Sequence, residues 1–357
     1  MASLTETAKV TRQAIRYGGV AFLAISLLWF VGGAAISYYK ALNPPAPPPP
    51  TMDFGLLPPI NFPKETGRPK LTLELPTGLI PKFPDRINVY YAPTKRSGFL
   101  DAASAIDTAR ALGFIFNPDK PTDTNYVWTN QDSLASKLKM DIVSGHFMMT
   151  RQWQNNPALL TLTNFSSDQQ VISDVINYMR KANLMQPDLS NEQKVTYLKA
   201  VSGKLTPTVS LSEADFVQVD FFRNNFETIN PDTKKVVSSY PFYRLDPDYG
   251  LIRGVVSGSR ENADKVIQLD YNYTSVDYSR SGTYPIKTGD AAWQEFSGGG
   301  GYVTDKGPKT GTIAIRRVLL GYIDSPAQNY AMPIYVFLGD QGFVGYISAV
   351  SDSVLKK

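Results

Sequence analysis

The 357-residue chain has no cysteine and a single histidine. Without cysteine there are no disulfides, thiol nucleophiles, thiolate zinc sites or iron–sulfur clusters, and no N-terminal lipid can be attached through sulfur. With one histidine there is no pair of imidazoles to hold a metal. Charge is also sparse: 36 Lys and Arg stand against 32 Asp and Glu, a formal net charge of +4. Most of that excess lies in residues 1–40, where Lys9, Arg12, Arg16 and Lys40 face only Glu6. The rest of the chain is nearly neutral and lacks the concentrated basic surface that nucleic acid requires. No metal, cofactor or nucleic-acid partner is expected.

Charge is missing altogether between Arg16 and Lys40, and there the sequence becomes informative. Gly18 to Tyr39 is continuously uncharged and rich in apolar residues. As a helix it would extend about 33 Å, enough for a hydrocarbon core of roughly 30 Å. Tyr17, Tyr38 and Tyr39 fall where an aromatic belt lies. The basic flank keeps a tail of residues 1–16 cytoplasmic, makes 17–40 a transmembrane signal anchor and sends the body across the membrane. A cleaved signal peptide is the rival reading, but signal h-regions usually run about 7–15 residues and this run is longer. An exported body without cysteine points to a bacterial lineage that does not staple its envelope proteins.

A Pro-rich linker over 41–69 follows. Asn43 to Pro50 contains six prolines, which predicts a polyproline II spacer of roughly 25 Å. Beyond it, Leu57, Ile60 and Phe62 suggest a segment lying along a domain surface, and the prolines among them disfavour a central strand.

The remainder predicts an α+β fold of two modules, 70–187 and 188–357, each a helix with an antiparallel sheet. In the first, Arg86–Tyr91 reads as a strand. Phe99, Ala102, Ala103, Ile106, Ala109 and Leu112 fall at helical spacing before Gly113. Asn125 to Trp128 and Asp141 to Trp153 are strand-like. Ser167 to Gln170 is a capping box that opens a second helix. In the second module, Lys194 to Val201, Phe216 to Arg223, Val236 to Arg244, Thr312 to Ile323, Met332 to Leu338 and Phe343 to Val350 read as strands, with a short helix at Asp290 to Phe296. Ile267, Leu269, Tyr271 and Tyr273 alternate with polar residues, the period of a half-buried antiparallel strand.

Two stretches carry a resemblance. Asp101 to Gly113, with its alternating alanines, resembles the helix of PepSY-type modules. Leu320-Gly-Tyr-Ile323, Tyr330-Ala-Met-Pro-Ile-Tyr-Val-Phe337 and Gly345-Tyr-Ile347 together resemble the closing hairpin of YycI/YycH-type regulatory proteins. That resemblance implies an extracytoplasmic regulator held by one N-terminal span, without catalytic residues, in contact with a membrane histidine kinase.

Short motifs with chemical associations are weak. His146 sits in a strand-like pattern on the face of Ile142 and Met148, and reads as structural. Ser136-Lys-Leu-Lys139 fits S-x-x-K, and Lys287-Thr-Gly289 and Lys309-Thr-Gly311 fit K-T-G, the elements of serine acyl-enzymes. Asp53-Phe-Gly55 lies in the linker without the other kinase motifs. Gly298 to Gly301 lacks the Lys-Ser/Thr of a phosphate loop. Asp246-Pro-Asp-Tyr-Gly250 supplies two carboxylates where calcium wants six or more oxygens, so an Asp-Pro turn is expected. Asn164-Phe-Ser166 and Asn272-Tyr-Thr274 are glycosylation sequons by letter alone. Tyr271, Tyr273, Tyr278 and Tyr284 form the candidate interaction surface, since tyrosine offers large contact area at low entropic cost. Ordinary sheet packing is the competing account.

The expectation is therefore a single-pass, membrane-anchored binding or regulatory protein without catalysis, touching lipid through its anchor and a protein or envelope polymer through its body. A cell-envelope hydrolase or a structural envelope component is the alternative.

Overall fold

Leu4–Leu42 form one continuous helix, α1, in a computed structural model that describes residues 4–42, 49–131, 134–161, 165–189, 191–230, 233–260 and 265–356. Within it, Lys9–Tyr39 is long and apolar enough to cross a membrane by length and composition. The helix overruns the expected span at both ends. Residues 43–48 of the expected spacer and Asn164 of the first sequon lie outside the described residues.

The chain divides into two compact units, 1–49 and 50–357. In the second, strands β1 (Lys70–Leu73) and β2 (Arg86–Tyr91) precede helix α2 (Asp101–Ala111). Strands β3 (Asn125–Asn130), β4 (Ser136–Asp141) and β5 (Phe147–Arg151) lead to helix α3 (Asp168–Lys181). Then come β6 (Glu192–Val201), β7 (Lys204–Pro207), β8 (Phe216–Phe222), β9 (Phe226–Ile229), β10 (Val236–Tyr240), β11 (Phe242–Tyr243), β12 (Ile252–Ser257), β13 (Val266–Tyr271) and β14 (Asp277–Pro285). Helix α4 (Gly289–Ser297) and strands β15 (Tyr302–Val303), β16 (Thr312–Ile323), β17 (Tyr330–Gly339) and β18 (Val344–Ser348) complete the body.

Among the described residues these strands make two eight-stranded sheets and a β9–β10 ribbon. The first sheet runs β1-β16-β17-β18-β15, with β11 beside β16 and the pair β2–β14 joined through β17. It is mixed, because β1 and β11 lie parallel to β16. The second sheet is antiparallel in the order β3-β4-β5-β13-β12-β8-β6-β7.

Sheet membership cuts across the expected modules. The first sheet takes β1 and β2 from the beginning of the body and β14 to β18 from its end. The second joins β3, β4 and β5 to β6, β8, β12 and β13 through the β5–β13 ladder. The expected boundary between residues 187 and 188 thus falls between strands of one sheet. Alternation along a strand says which face is buried but not which strand lies beside it.

Each helix is set by its apolar stripe. Val171, Val175 and Met179 of α3 and Ala105 and Ala109 of α2 are buried against the second sheet with Val217, Val219, Phe221 and Leu269. At Gly254 of β12 a Cβ would come within 2.8 Å of a Val175 methyl carbon, so glycine lets α3 lie close to the sheet. Ser167 caps α3 by accepting Gln170 N–H at 3.2 Å. The Gln170 side chain reaches back to Ser166 N–H rather than to that of Ser167. Helix α4 covers one face of the first sheet, where Phe296 stacks on Phe337 at 4.5 Å between ring centroids.

Residues 51–69 strap the other face of the first sheet. Leu57 is fully buried there with Val336 and Tyr346, and its backbone bridges Leu355 in parallel. Phe54 N–H donates to the Tyr284 hydroxyl at 2.9 Å, which donates onward to Gly55 C=O at 3.0 Å. Arg68 donates to Phe296 C=O at 2.6 Å and Gly300 C=O at 2.9 Å. With both faces covered, β17 is apolar along most of its length rather than alternating.

Candidate functional site

The two sheets meet at a cleft of about 740 Å³. Its walls are segments 92–95 and 326–328 beside the first sheet, the first turns of α2, and segments 141–146 and 271–275 of the second sheet. Such concave, partly apolar space with a few convergent polar groups is the usual form of a binding site.

His146 lines this cleft, and here the structure corrects the sequence reading. The strand-like pattern over 142–148 is broken. Residues 142–144 turn, β5 begins only at Phe147, and Met148 is exposed instead of sharing a buried face with His146. The cause is Asp141, whose Oδ1 accepts Val143 N–H at 3.0 Å, Ser144 N–H at 2.8 Å and the Ser144 hydroxyl at 3.0 Å. That closes an Asx-type turn completed by Gly145 at positive φ. His146 Nε2 lies 3.1 Å from Tyr273 C=O. A carbonyl only accepts, so Nε2 carries the proton and Nδ1 is the acceptor nitrogen. Burial pushes the imidazole below its ordinary value and Arg244 adds to this, against the Tyr273 carbonyl and Asp141. Asp, Ser and His side chains therefore crowd one turn without forming a relay. The Ser144 hydroxyl is given to Asp141 and the imidazole to a carbonyl just beyond the neighbouring strand, β13.

Beneath the cleft lies a clamp that sequence reasoning missed. Arg223 follows β8 in the second sheet and is fully buried. Its Nε donates to Asp324 Oδ2 at 2.8 Å, just beyond β16 of the first sheet. Its Nη1 pairs with Asp188, and Nη2 donates to Thr274 C=O at 2.5 Å. The guanidinium also faces the rings of Tyr273 at 5.1 Å and Phe242 at 5.4 Å. Burial opposes the charge, but Asp324 and Asp188 outweigh it and hold the guanidinium pKa well above its ordinary value. No local pattern announces this site, because the three charged residues are far apart in sequence.

A second bridge repeats the arrangement nearer the surface. Asp248 Oδ1 takes Lys194 of β6 at 2.7 Å and Lys306, beyond β15, at 2.9 Å. The segment Asp246–Gly250 folds as the expected Asp-Pro turn, with Asp248 N–H donating to Asp246 Oδ1 at 3.0 Å. Behind it, Arg253 of β12 pairs with buried Asp220 at 2.7 Å and faces the Tyr249 ring at 3.8 Å. Tyr249 in turn donates to Asp270 of β13.

The four expected surface tyrosines have different fates. Tyr284 is fully buried under the strap, and Tyr271 is buried, stacked on Phe147 at 5.2 Å with its hydroxyl on Leu184 C=O. They do not form one interaction surface, because sheet burial took the first and helix packing the second. Tyr273 and Tyr278 do come together, both donating to Asp188, at 3.1 and 3.3 Å. Burial pushes the Tyr273 phenol up to about 12 and that of Tyr278 higher, so both act as donors. Of the four, Tyr271 and Tyr273 line the cleft.

The acyl-enzyme motifs are dispersed. Ser136 and Lys139 lie three apart on β4, so they point to opposite faces of the second sheet. Lys287 pairs with Glu295 and Asp352 beside the first sheet, and Thr288 caps α4. Lys309 donates to Thr304 C=O. The glycines at 298–301 are structural: Arg68 holds Gly300, and a Cβ at Gly301 would come within 2.2 Å of Tyr346 O. Among the described residues no three His, Asp or Glu side chains converge on one point as a metal cage. No protein-family profile, curated protein or solved structure matches the chain.

Proposed function

We propose that the chain is a binding or regulatory protein held at a membrane by its N-terminal helix, and that the cleft between the two sheets receives an extended segment of a protein or envelope polymer. The observation that carries this reading is the cleft itself, with walls drawn from both sheets. Its polar groups include the Asp101 and Asp141 carboxylates, the Lys95 ammonium, the Ser144 hydroxyl and the His146 imidazole, each already oriented by a bond of its own, which suits recognition. The excess of Lys and Arg before the apolar run supports a topology with residues 1–16 in the cytoplasm and the body outside it. On this reading the protein shares the architecture and non-catalytic role of the YycI/YycH-type regulators it resembles, with a membrane sensor kinase among its partners.

The test is photo-crosslinking in native membranes. A photoreactive residue at Ser104, exposed on the cleft wall, is expected to yield a discrete adduct. The same residue at exposed Lys199 on β6 is expected to yield none. Equal labelling at both positions, or none at Ser104, overturns the proposal.

A further inference from the structure

Segment 93–100, Pro-Thr-Lys-Arg-Ser-Gly-Phe-Leu, links β2 to α2 and is exposed throughout. Phe99 is completely exposed and Leu100 is 69% exposed. Among the described residues no element covers these two side chains. They are the central residues of the turn from Gly98 to Asp101 that opens α2, and that turn is fixed: Asp101 accepts Gly98 N–H at 2.6 Å and pairs with Lys95 at 3.0 Å. Backbone capping by Gly98, then Lys95, holds the Asp101 carboxyl below its ordinary value. Arg96 is exposed beside them.

The position of this loop in the body says what it faces. The chain arrives from the anchor at Pro50, and Thr51 N–H at once donates to the Thr283 hydroxyl at 2.8 Å. Thr283 lies across from Asn88 in the β14–β2 ladder, three residues before Tyr91, where the loop begins. At about 3.3 Å per strand residue that separation is roughly 10 Å. Phe54 of the strap packs on Tyr91 itself, 6.4 Å between ring centroids, and Arg280 lies over the same ring at 4.2 Å. The loop therefore leaves β2 about 10 Å along the strand from the point at which the chain coming from the anchor joins the body.

From this juxtaposition we infer that Phe99 and Leu100 are a second membrane contact, inserted at the headgroup–acyl boundary of the bilayer that the anchor spans. Two adjacent exposed apolar side chains in a tight turn fit a soft planar surface better than a protein groove. Flanking cations can stay at the phosphate level while apolar neighbours enter. The covalent tether holds the loop at high effective concentration near the bilayer, so a contact too weak to bind alone is populated. The contact orients the body and turns the cleft rim, which includes Lys95, toward the membrane. This inference rests on the anchoring reading.

The absence of native cysteine allows a direct test. The full chain carrying Ser97→Cys is labelled with an environment-sensitive fluorophore and reconstituted into phosphatidylcholine–phosphatidylglycerol vesicles. We expect blue-shifted emission, quenching by headgroup-proximal spin-labelled lipid and protection from aqueous iodide. All three should be lost when Phe99→Ser and Leu100→Ser are added. A label at Val209→Cys, an exposed site beyond β7 at the far edge of the second sheet, should remain aqueous. If the chain floats with vesicles but the Ser97→Cys label is iodide-accessible and unquenched by lipid, the loop contact is refuted and the anchor stands. Protection that persists in detergent and scales with protein concentration also refutes it, in favour of contact between copies. A chain that does not float with vesicles overturns the anchoring reading and this inference with it.

Discussion

Arg223 binds the two sheets through one guanidinium, and its removal has a calculable sign. Replacing it by methionine leaves Asp324, 6% exposed, without its bonded cation. Breaking a buried pair from one side typically costs about 3–5 kcal/mol. Arg223→Met should therefore lower the denaturant midpoint markedly, and adding Asp324→Leu should recover part of the loss. His146 sets a second residue-scale outcome. Its imidazole is held below its ordinary value by burial, so the unfolded chain takes up this proton first as pH falls below about 6.5. Stability from this group is complete above that pH and declines as pH drops toward the folded-state value. It is the only histidine, so His146→Gln should flatten the pH dependence of the midpoint between about pH 7 and 5.5, above most carboxylate titration. If the slope survives the substitution, another group is responsible.

At the scale of elements, the strap is the part most open to attack. Leu57 is fully buried, and its N–H and C=O bond to Val354 C=O at 2.9 Å and Lys356 N–H at 2.7 Å. Leu57→Ala should cost about 2–5 kcal/mol and should expose residues 51–69 to limited proteolysis before the sheets unfold. The strap also shows how far sequence could be read. Its apolar residues among prolines predicted a segment lying on a surface, and residues 51–69 do so. Strands with a clean pattern, such as Arg86–Tyr91 and Thr312–Ile323, were legible to the residue, as was the serine cap of α3. Segment 141–146 was not, because an Asx turn reads as a continuing strand until the carboxylate is seen to take three donors. The alternation over 267–273 was legible only in part: β13 ends at Tyr271, and Ile267 packs with Trp153, Phe216 and Val255, apart from the cluster that holds Leu269 and Tyr271. Asp270 is buried because Tyr249, from a loop some twenty residues away, closes over it. The cleft and the Arg223 clamp had no local signal, being made by contacts between distant segments.

For the whole molecule, interleaved sheets mean that neither expected module is self-sufficient. A fragment of residues 188–357 lacks β1 to β5 and helices α2 and α3. It would leave β13 without its β5 neighbour and β14 and β17 without β2, and would expose Val217, Val219, Phe221 and Leu269. Such a fragment should show no cooperative thermal transition by circular dichroism, whereas residues 50–357 should show one. A cooperative transition in the fragment would restore the boundary near 188. The two charged bridges, Arg223 with Asp324 and Asp248 with Lys194 and Lys306, predict that the sheets unfold together.

The parallel pairing of β1 with β16 has a consequence in time. Thr72 and Ile313 are 241 positions apart, and at roughly 5–20 residues per second a ribosome needs on the order of 10–50 s to make the second after the first. The strap waits longer still, since Leu57 bridges Leu355, which is made after β16. Throughout that interval the first sheet cannot close. A nascent body is thus kept by its own topology from completing its first sheet until β16 has been made, and from seating its strap until Leu355 has.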